Sequence, residues 1–121
     1  MQKQGKVWGS TQSLFNINGV EIHRIDVFNR GYCSKHKHNT KYNAFFIEHG
    51  GLKISVWKND YDLVDVTLIE DNEMTIVKPG EFHMFEAVTP TVAYEIYWAE
   101  STPEDIVRET CGGILPDPSK K

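Results

Sequence analysis

At 121 residues, with 25% charged and 40% hydrophobic side chains, the chain has the composition of one soluble globular domain that buries a core without staples. Its 17 acidic residues outnumber 13 basic ones, for a net charge of −4, which argues against nucleic acid as the main partner, because phosphate neutralisation needs a basic surface. No stretch approaches a membrane span, the start is polar, and the two cysteines, Cys33 and Cys111, form no disulfide framework, so a cytoplasmic, reduced setting without membrane contact is expected.

The chain reads as short strands between turn signals. The N-terminal stretch is aromatic and flat (Val7, Trp8, Leu14, Phe15) and is expected to add a strand to a neighbouring copy, giving a homodimer. Asn18-Gly19 is a strong turn pair, and the β-branched run Val20 to Phe28 after it is a strand. Asn43 to His49 follows, with Asn43, Phe45 and Ile47 on one face, and ends at Gly50-Gly51. Leu52 to Trp57 alternates apolar Leu52, Ile54 and Val56 against Lys53 and Ser55. Leu63 to Ile69, Met74 to Val77, Phe82 to Val88 and Thr91 to Trp98 complete seven strands at even spacing, the pattern of a β-sandwich or barrel. A short helix is plausible near the end, capped by Thr102 with Pro103 at its first position and stopped by Gly112-Gly113. The domain is therefore read as residues 1–115, with 116–121 a frayed tail.

The chemistry concentrates in Gly31-Tyr-Cys-Ser-Lys-His36-Lys-His38 and Pro79-Gly80-Glu-Phe-His83. In a strand, residues i and i+2 face the same way, so His36 and His38 can aim two imidazoles at one point. A third from His83, on another strand behind a Pro-Gly turn, would complete a three-nitrogen metal site. The competing readings are a solvated basic loop around Lys35, Lys37 and Lys41, and a core histidine bonded to backbone at position 83. Cys33 reads as a small buried residue rather than a nucleophile, and His23 and His49 as structural or exposed. Tyr32, Tyr42, Phe45 and Phe46 are either core or the rim of a pocket. Glu95 and Tyr97 alternate with Tyr94, Ile96 and Trp98. An inward Glu95 beside a metal would be a general acid/base candidate, while the default for a glutamate is an outward, solvated position.

In these two segments the chain resembles the cupin superfamily. That family's first motif runs glycine, His-x-His, glutamate, glycine; here Gly31, His36-Lys-His38, Asn43 and Gly50 stand in its place. The second motif's proline, glycine and histidine are matched by Pro79, Gly80 and His83. The resemblance covers about residues 31 to 90 and implies an all-β double-stranded β-helix, the jelly-roll barrel. It also implies a divalent metal (zinc, nickel, iron, manganese or copper) on His36, His38 and His83. Asn43 occupies the glutamate position and is a ligand only through its amide oxygen, a weaker donor that leaves more positive charge on the site. The family implies a small-molecule ligand, with isomerisation or epimerisation of a sugar or sugar-phosphate derivative, or dioxygenation, as reaction classes. A binding module without turnover and a regulatory dimer with a degenerate site are the alternatives. The C-terminal Glu104 to Arg108 with Gly112-Gly113 resembles the ending of small single-domain cupins encoded near sugar-nucleotide or surface-polysaccharide genes.

Overall fold

The computed structural model describes residues 2–58, 63–99 and 109–119. Nine strands run in order: β1 (Lys3–Lys6), β2 (Gly9–Ile17), β3 (Val20–Val27), β4 (Tyr42–His49), β5 (Gly51–Trp57), β6 (Val64–Glu70), β7 (Met74–Val77), β8 (Phe82–Ala87) and β9 (Thr91–Trp98). They form two sheets, one of six strands in the order β1-β2-β3-β9-β4-β7 and one of three in the order β6-β5-β8. All pairings are antiparallel. The described residues are thus all-β, as expected, and every strand read from Val20 onward is present within a residue or so of its bounds. The proposed helix at Thr102 lies outside the described residues.

The N-terminal stretch departs from expectation. It makes two strands that pair within the chain, β1 on β2 and β2 on β3. The β2–β3 turn explains why: Asn18 and Gly19 both take positive φ, 54° and 79°, the turn whose twist matches a hairpin. The polar β1–β2 sequence (Gln4, Thr11, Gln12, Ser13) gave no alternation of hydrophobic residues from which to read strands.

The core lies between the sheets. Ile25, Phe45, Ile47, Leu52, Ile54, Phe85 and Ala93 are almost completely buried. They obey the period of two: Ile25 pairs Ala93 across β3 and β9, and Ile54 pairs Phe85 across β5 and β8. Phe45 and Phe85 meet edge to face at 6.1 Å, and Trp8 sits against Phe85 at 5.0 Å, which joins the N-terminal hairpin to the core. Truncating Phe45 to alanine is expected to cost about 3–5 kcal/mol, because the ring is fully buried and its neighbours on the sheets have little freedom to collapse. A urea titration comparing Phe45→Ala with the parent protein checks this; a loss well below 2 kcal/mol would mean that the sheets do not pack as described.

Candidate metal centre

The segment between β3 and β4 is long and mostly irregular, yet the backbone of β8 fixes it. Cys33 N–H donates to Phe85 O (3.2 Å), and His36 and His83 exchange both backbone hydrogen bonds (3.1 and 2.8 Å). Beyond them Gly80 N–H donates to His38 O at 2.7 Å. The Pro79-Gly80 turn makes this approach feasible, since Gly80 holds φ at +82°, a left-handed value that favours glycine. His36 and His38 therefore lie on an extended segment docked by single bridges, not in a continuous strand as their spacing suggested.

This docking gathers three imidazoles. His36, His38 and His83 each place one nitrogen within 4.8 Å of the others. His36 Nδ1 lies 2.7 Å from Ser34 O, and His83 Nδ1 lies 3.0 Å from Glu81 O. A carbonyl only accepts, so His36 Nδ1 carries the proton and its Nε2 presents a lone pair; His83 would take the same form when its Nε2 coordinates. Backbone carbonyls that orient imidazoles in this way are the usual outer support of metal-binding histidines. His38 Nε2 is buried and has no hydrogen-bond partner among the described residues. His83 Nε2 sits 3.1 Å from Asn43 Oδ1, while Asn43 Nδ2 donates to Ala44 O at 3.2 Å. Neutral His83 carries a single N–H yet meets an oxygen acceptor at each nitrogen, so one contact lacks a proton, and a cation held by Nε2 and Oδ1 would satisfy it. The residues fit a divalent ion: three imidazole nitrogens lie within 4.8 Å of one another, one of them orphaned, and an amide oxygen stands 3.1 Å from His83 Nε2.

Electrostatics keep these rings ready to coordinate. Burial pushes His83 down to about 4, and burial together with the neighbouring His36 and Lys41 lowers His38. Neutral imidazole is the form that binds metal.

A cleft of about 420 Å³ opens beside the triad, with His36, Trp8, His23, Cys33, Glu95 and Tyr97 among its walls. A second recess of about 620 Å³ lies on the other side, where His38, Lys37, Lys41 and Glu21 meet Tyr97. Tyr97 lines both, and its ring stands 4.9 Å from that of His38. Its hydroxyl donates to Glu95 Oε2 at 2.7 Å. Burial raises the Glu95 carboxyl above the usual range, the Tyr97 hydrogen bond offsetting part of that rise. Burial first and Glu95 second raise the Tyr97 phenol.

No family model matches the chain, and no curated protein matches it. Solved structures do. KdgF from a Halomonas species superimposes with a TM-score of 0.71 over 84% of this chain and 88% of that one, at 7% identity. An RmlC-like cupin from Shewanella frigidimarina gives 0.69 over 82% and 84%, at 12% identity. CapF, in complex with 3-isopropenyl-tropolone, gives 0.74 over 84% of this chain but 31% of its own, at 16% identity. The chain has the cupin fold. At these identities the likeness establishes the barrel and leaves the chemistry to the residues.

In this cupin-fold barrel the three histidines named from the motifs come together, and Asn43 stands beside them. Glu95 is the main surprise: the default outward placement fails, because it pairs with His23 on β3 and Phe45 on β4, all on the inner face. Cys33 is buried, as expected, with its thiol pushed up to about 11 by burial, so it is no nucleophile at neutral pH. His49 is exposed, 3.5 Å from Asp71. Tyr42 stacks on Trp98 and Phe46 leans on Tyr94, both on the outer face of the large sheet, while Tyr32 lies at the surface. His23, read as structural or exposed, instead lines the cleft, its Nε2 3.3 Å from Glu21 Oε1. Its i, i+2 relation to the buried Ile25 was the available signal.

The burial of His83 makes a pH dependence. An unfolded chain protonates this ring near 6.5, whereas the folded one holds it neutral down to about 4. The neutral ring's contribution is complete above pH 6.5 and is lost as the pH falls from there to about 4. The expected loss in metal-free protein is roughly 3 kcal/mol, read as a falling urea midpoint across that window. His83→Gln should flatten the fall; an equally steep fall in that variant would remove His83 as its source.

Proposed function

We propose that this cupin is a metal-dependent enzyme that moves a proton within a small polyhydroxylated molecule, as a sugar isomerase or epimerase does. The observation that carries this reading is Glu95, an inward carboxyl hydrogen-bonded by Tyr97 in the cleft that His36 of the triad also lines. His36, His38 and His83 would hold the ion, with Asn43 Oδ1 as a further donor. A divalent ion bound there supplies Lewis-acid polarisation of a substrate carbonyl or hydroxyl oxygen.

The remaining work falls to the chain. Glu95, when ionised, accepts the proton from the carbon next to the polarised carbonyl and returns it to the neighbouring carbon or to the other face. Its raised pKa makes it a stronger base than an exposed glutamate and a carrier that retains the proton between the two transfers. The Tyr97 hydroxyl pins Oε2, leaving the other oxygen to the substrate. Trp8 offers an aromatic wall, and Thr11, Ser13 and Gln4 add hydroxyl and amide groups, a mixture suited to sugar hydroxyls.

Asn43 supports a second reading, a ligand-binding cupin without turnover. An amide in place of a carboxylate weakens the hold on the metal. A homodimer stays part of either reading, supported by the exposed Phe15, Met74 and Ile76 on the outer face of the six-stranded sheet.

Two measurements test the proposal. Elemental analysis should find a first-row divalent metal in the purified protein and lose it in His36→Ala and His83→Ala; equal metal in all three would refute the ligand set. Aldoses, ketoses and uronates incubated with the metal-loaded protein in heavy water should include one that takes up deuterium next to its carbonyl. Glu95→Gln should keep the metal and slow that exchange by roughly 10²–10⁴-fold. Thermal stabilisation by a sugar with no exchange from any of them would select the binding module instead.

Glu95→Gln also carries a stability signature. A buried carboxyl with a raised pKa contributes stability that is complete below its unfolded pKa of 4.5 and is lost as the pH rises through the folded value. The parent protein should therefore lose melting temperature on going from acid to neutral pH by a component that Glu95→Gln lacks. Parallel pH profiles for the two proteins would show that Glu95 is not held in a low-dielectric site.

A further inference from the structure

The cleft does not end at its own walls. It shares Lys6, Trp8, Cys33 and Ser34 with a surface groove of about 810 Å³ that runs between the β1–β2 turn and the segment after β3. The groove adds Phe28, Arg30 and Tyr32. Phe28 and Tyr32 are 63% and 62% exposed, so two aromatic rings stand open beside two cations. No acidic residue is among the groove's lining, although the chain as a whole carries −4. Neither the Lys6 ammonium nor the Arg30 guanidinium has an ion pair or a side-chain hydrogen bond among the described residues.

The backbone at Arg30 is a separate observation. Arg30 holds φ at +67°, a conformation that costs a residue with a Cβ and that glycine or asparagine adopts more readily. It is held there by its N–H bond to Ala87 O at 3.0 Å and by the next bond, Gly31 N–H to Phe28 O at 2.8 Å. A strained position thus carries a long cationic side chain, with no ion-pair partner among the described residues, at the edge of the groove.

We infer that the groove is an anion subsite: it takes a phosphate or carboxylate group borne by the molecule whose reacting end sits in the cleft. Lys6 stands at the junction and Arg30 farther out, so the two cations bracket the group, and Phe28 and Tyr32 cover its apolar attachment. The guanidinium suits planar, two-point contact with either oxyanion. The inference rests on the cleft being the ligand site, but its test can be separated from that reading.

Amide chemical shifts followed during titration with inorganic phosphate, and in parallel with acetate, at constant chloride ionic strength, test the groove directly. Expected are saturable shifts at Lys6, Arg30, Gly31 and Tyr32, with affinity about tenfold weaker in Lys6→Gln and in Arg30→Gln. Stronger phosphate binding assigns a phosphorylated ligand, and stronger acetate binding a carboxylate. Arg30→Gly guards against misfolding: it relieves the positive φ, so it should melt no lower than the parent while losing the anion response. His83→Ala, devoid of metal, should keep that response; metal loss alone then counts against the triad and leaves the groove standing. No saturable shift in the groove, or unchanged phosphate and acetate affinity in Lys6→Gln and Arg30→Gln, overturns the subsite.

Discussion

The paired backbone hydrogen bonds between His36 and His83 are the constraint on which the rest of the site depends. They are short, 3.1 and 2.8 Å, and they form where no regular ladder exists. Each carbonyl and amide so paired escapes the cost of an unsatisfied buried group. In making the pair, the segment after β3 becomes an interrupted extra strand on β8, with Tyr32 bridged to Glu86 at one end and His38 O bound by Gly80 N–H at the other. The same bonds that close the barrel therefore set the distance between the imidazoles. The spacing of the candidate ligands is a consequence of sheet geometry: side chains carried on a loop acquire the precision of side chains carried on strands.

A polarity gradient along the strands divides the barrel into two ends. On β3 the inner face passes from Glu21 and His23 to Ile25 and Val27. On β9, running the other way, it passes from Thr91 and Ala93 to Glu95 and Tyr97. On β4 it goes from Asn43 to Phe45 and Ile47, and on β8 from His83 to Phe85 and Ala87. Antiparallel register brings like to like, so Ile25 faces Ala93 and His23 faces Glu95. One end is a close-packed core that supplies the stability; the other end gathers the ionisable inner residues Glu21, His23, His83 and Glu95 around the triad, the cleft and the recess. Phe45 and Phe85 form the boundary, with the Phe45 ring 6.2 Å from that of His83 and edge-on to Phe85. This apolar floor lowers the dielectric around the site, which explains why His83 and Glu95 are both displaced toward their neutral forms despite opposite charges.

Much of this was legible in the sequence because the signals were local. The strands from Val20 onward announce themselves by β-branched alternation and by Asn-Gly, Gly-Gly and Pro-Gly turns, and the two histidine segments keep a spacing that names the fold. What was not legible required pairing across the sheet. The inward aim of Glu95 follows from its register with His23 and Phe45, and Glu95 and Ile96 are equally plausible inner residues until that register is known. The polar hairpin of β1 and β2 escaped for a related reason. Its inner residues Thr11 and Ser13 line a cleft rather than a core, so the apolar signature of an inner face is missing where the face borders open space. His23 escaped with them.

The amide at position 43 then takes on meaning from its surroundings. Three neutral imidazoles and one amide leave the charge of a divalent ion almost uncompensated within a low-dielectric pocket. Glu21 is already neutralised by Lys41 at 2.8 Å, and burial holds Glu95 toward its protonated form. No other acidic residue is among the walls of the cleft or of the recess behind it. A carboxylate at position 43 would have answered the ion from within the protein. With an amide there, an ion held by the triad would draw its compensating charge from an anionic ligand, in line with the anion subsite proposed for the outer groove.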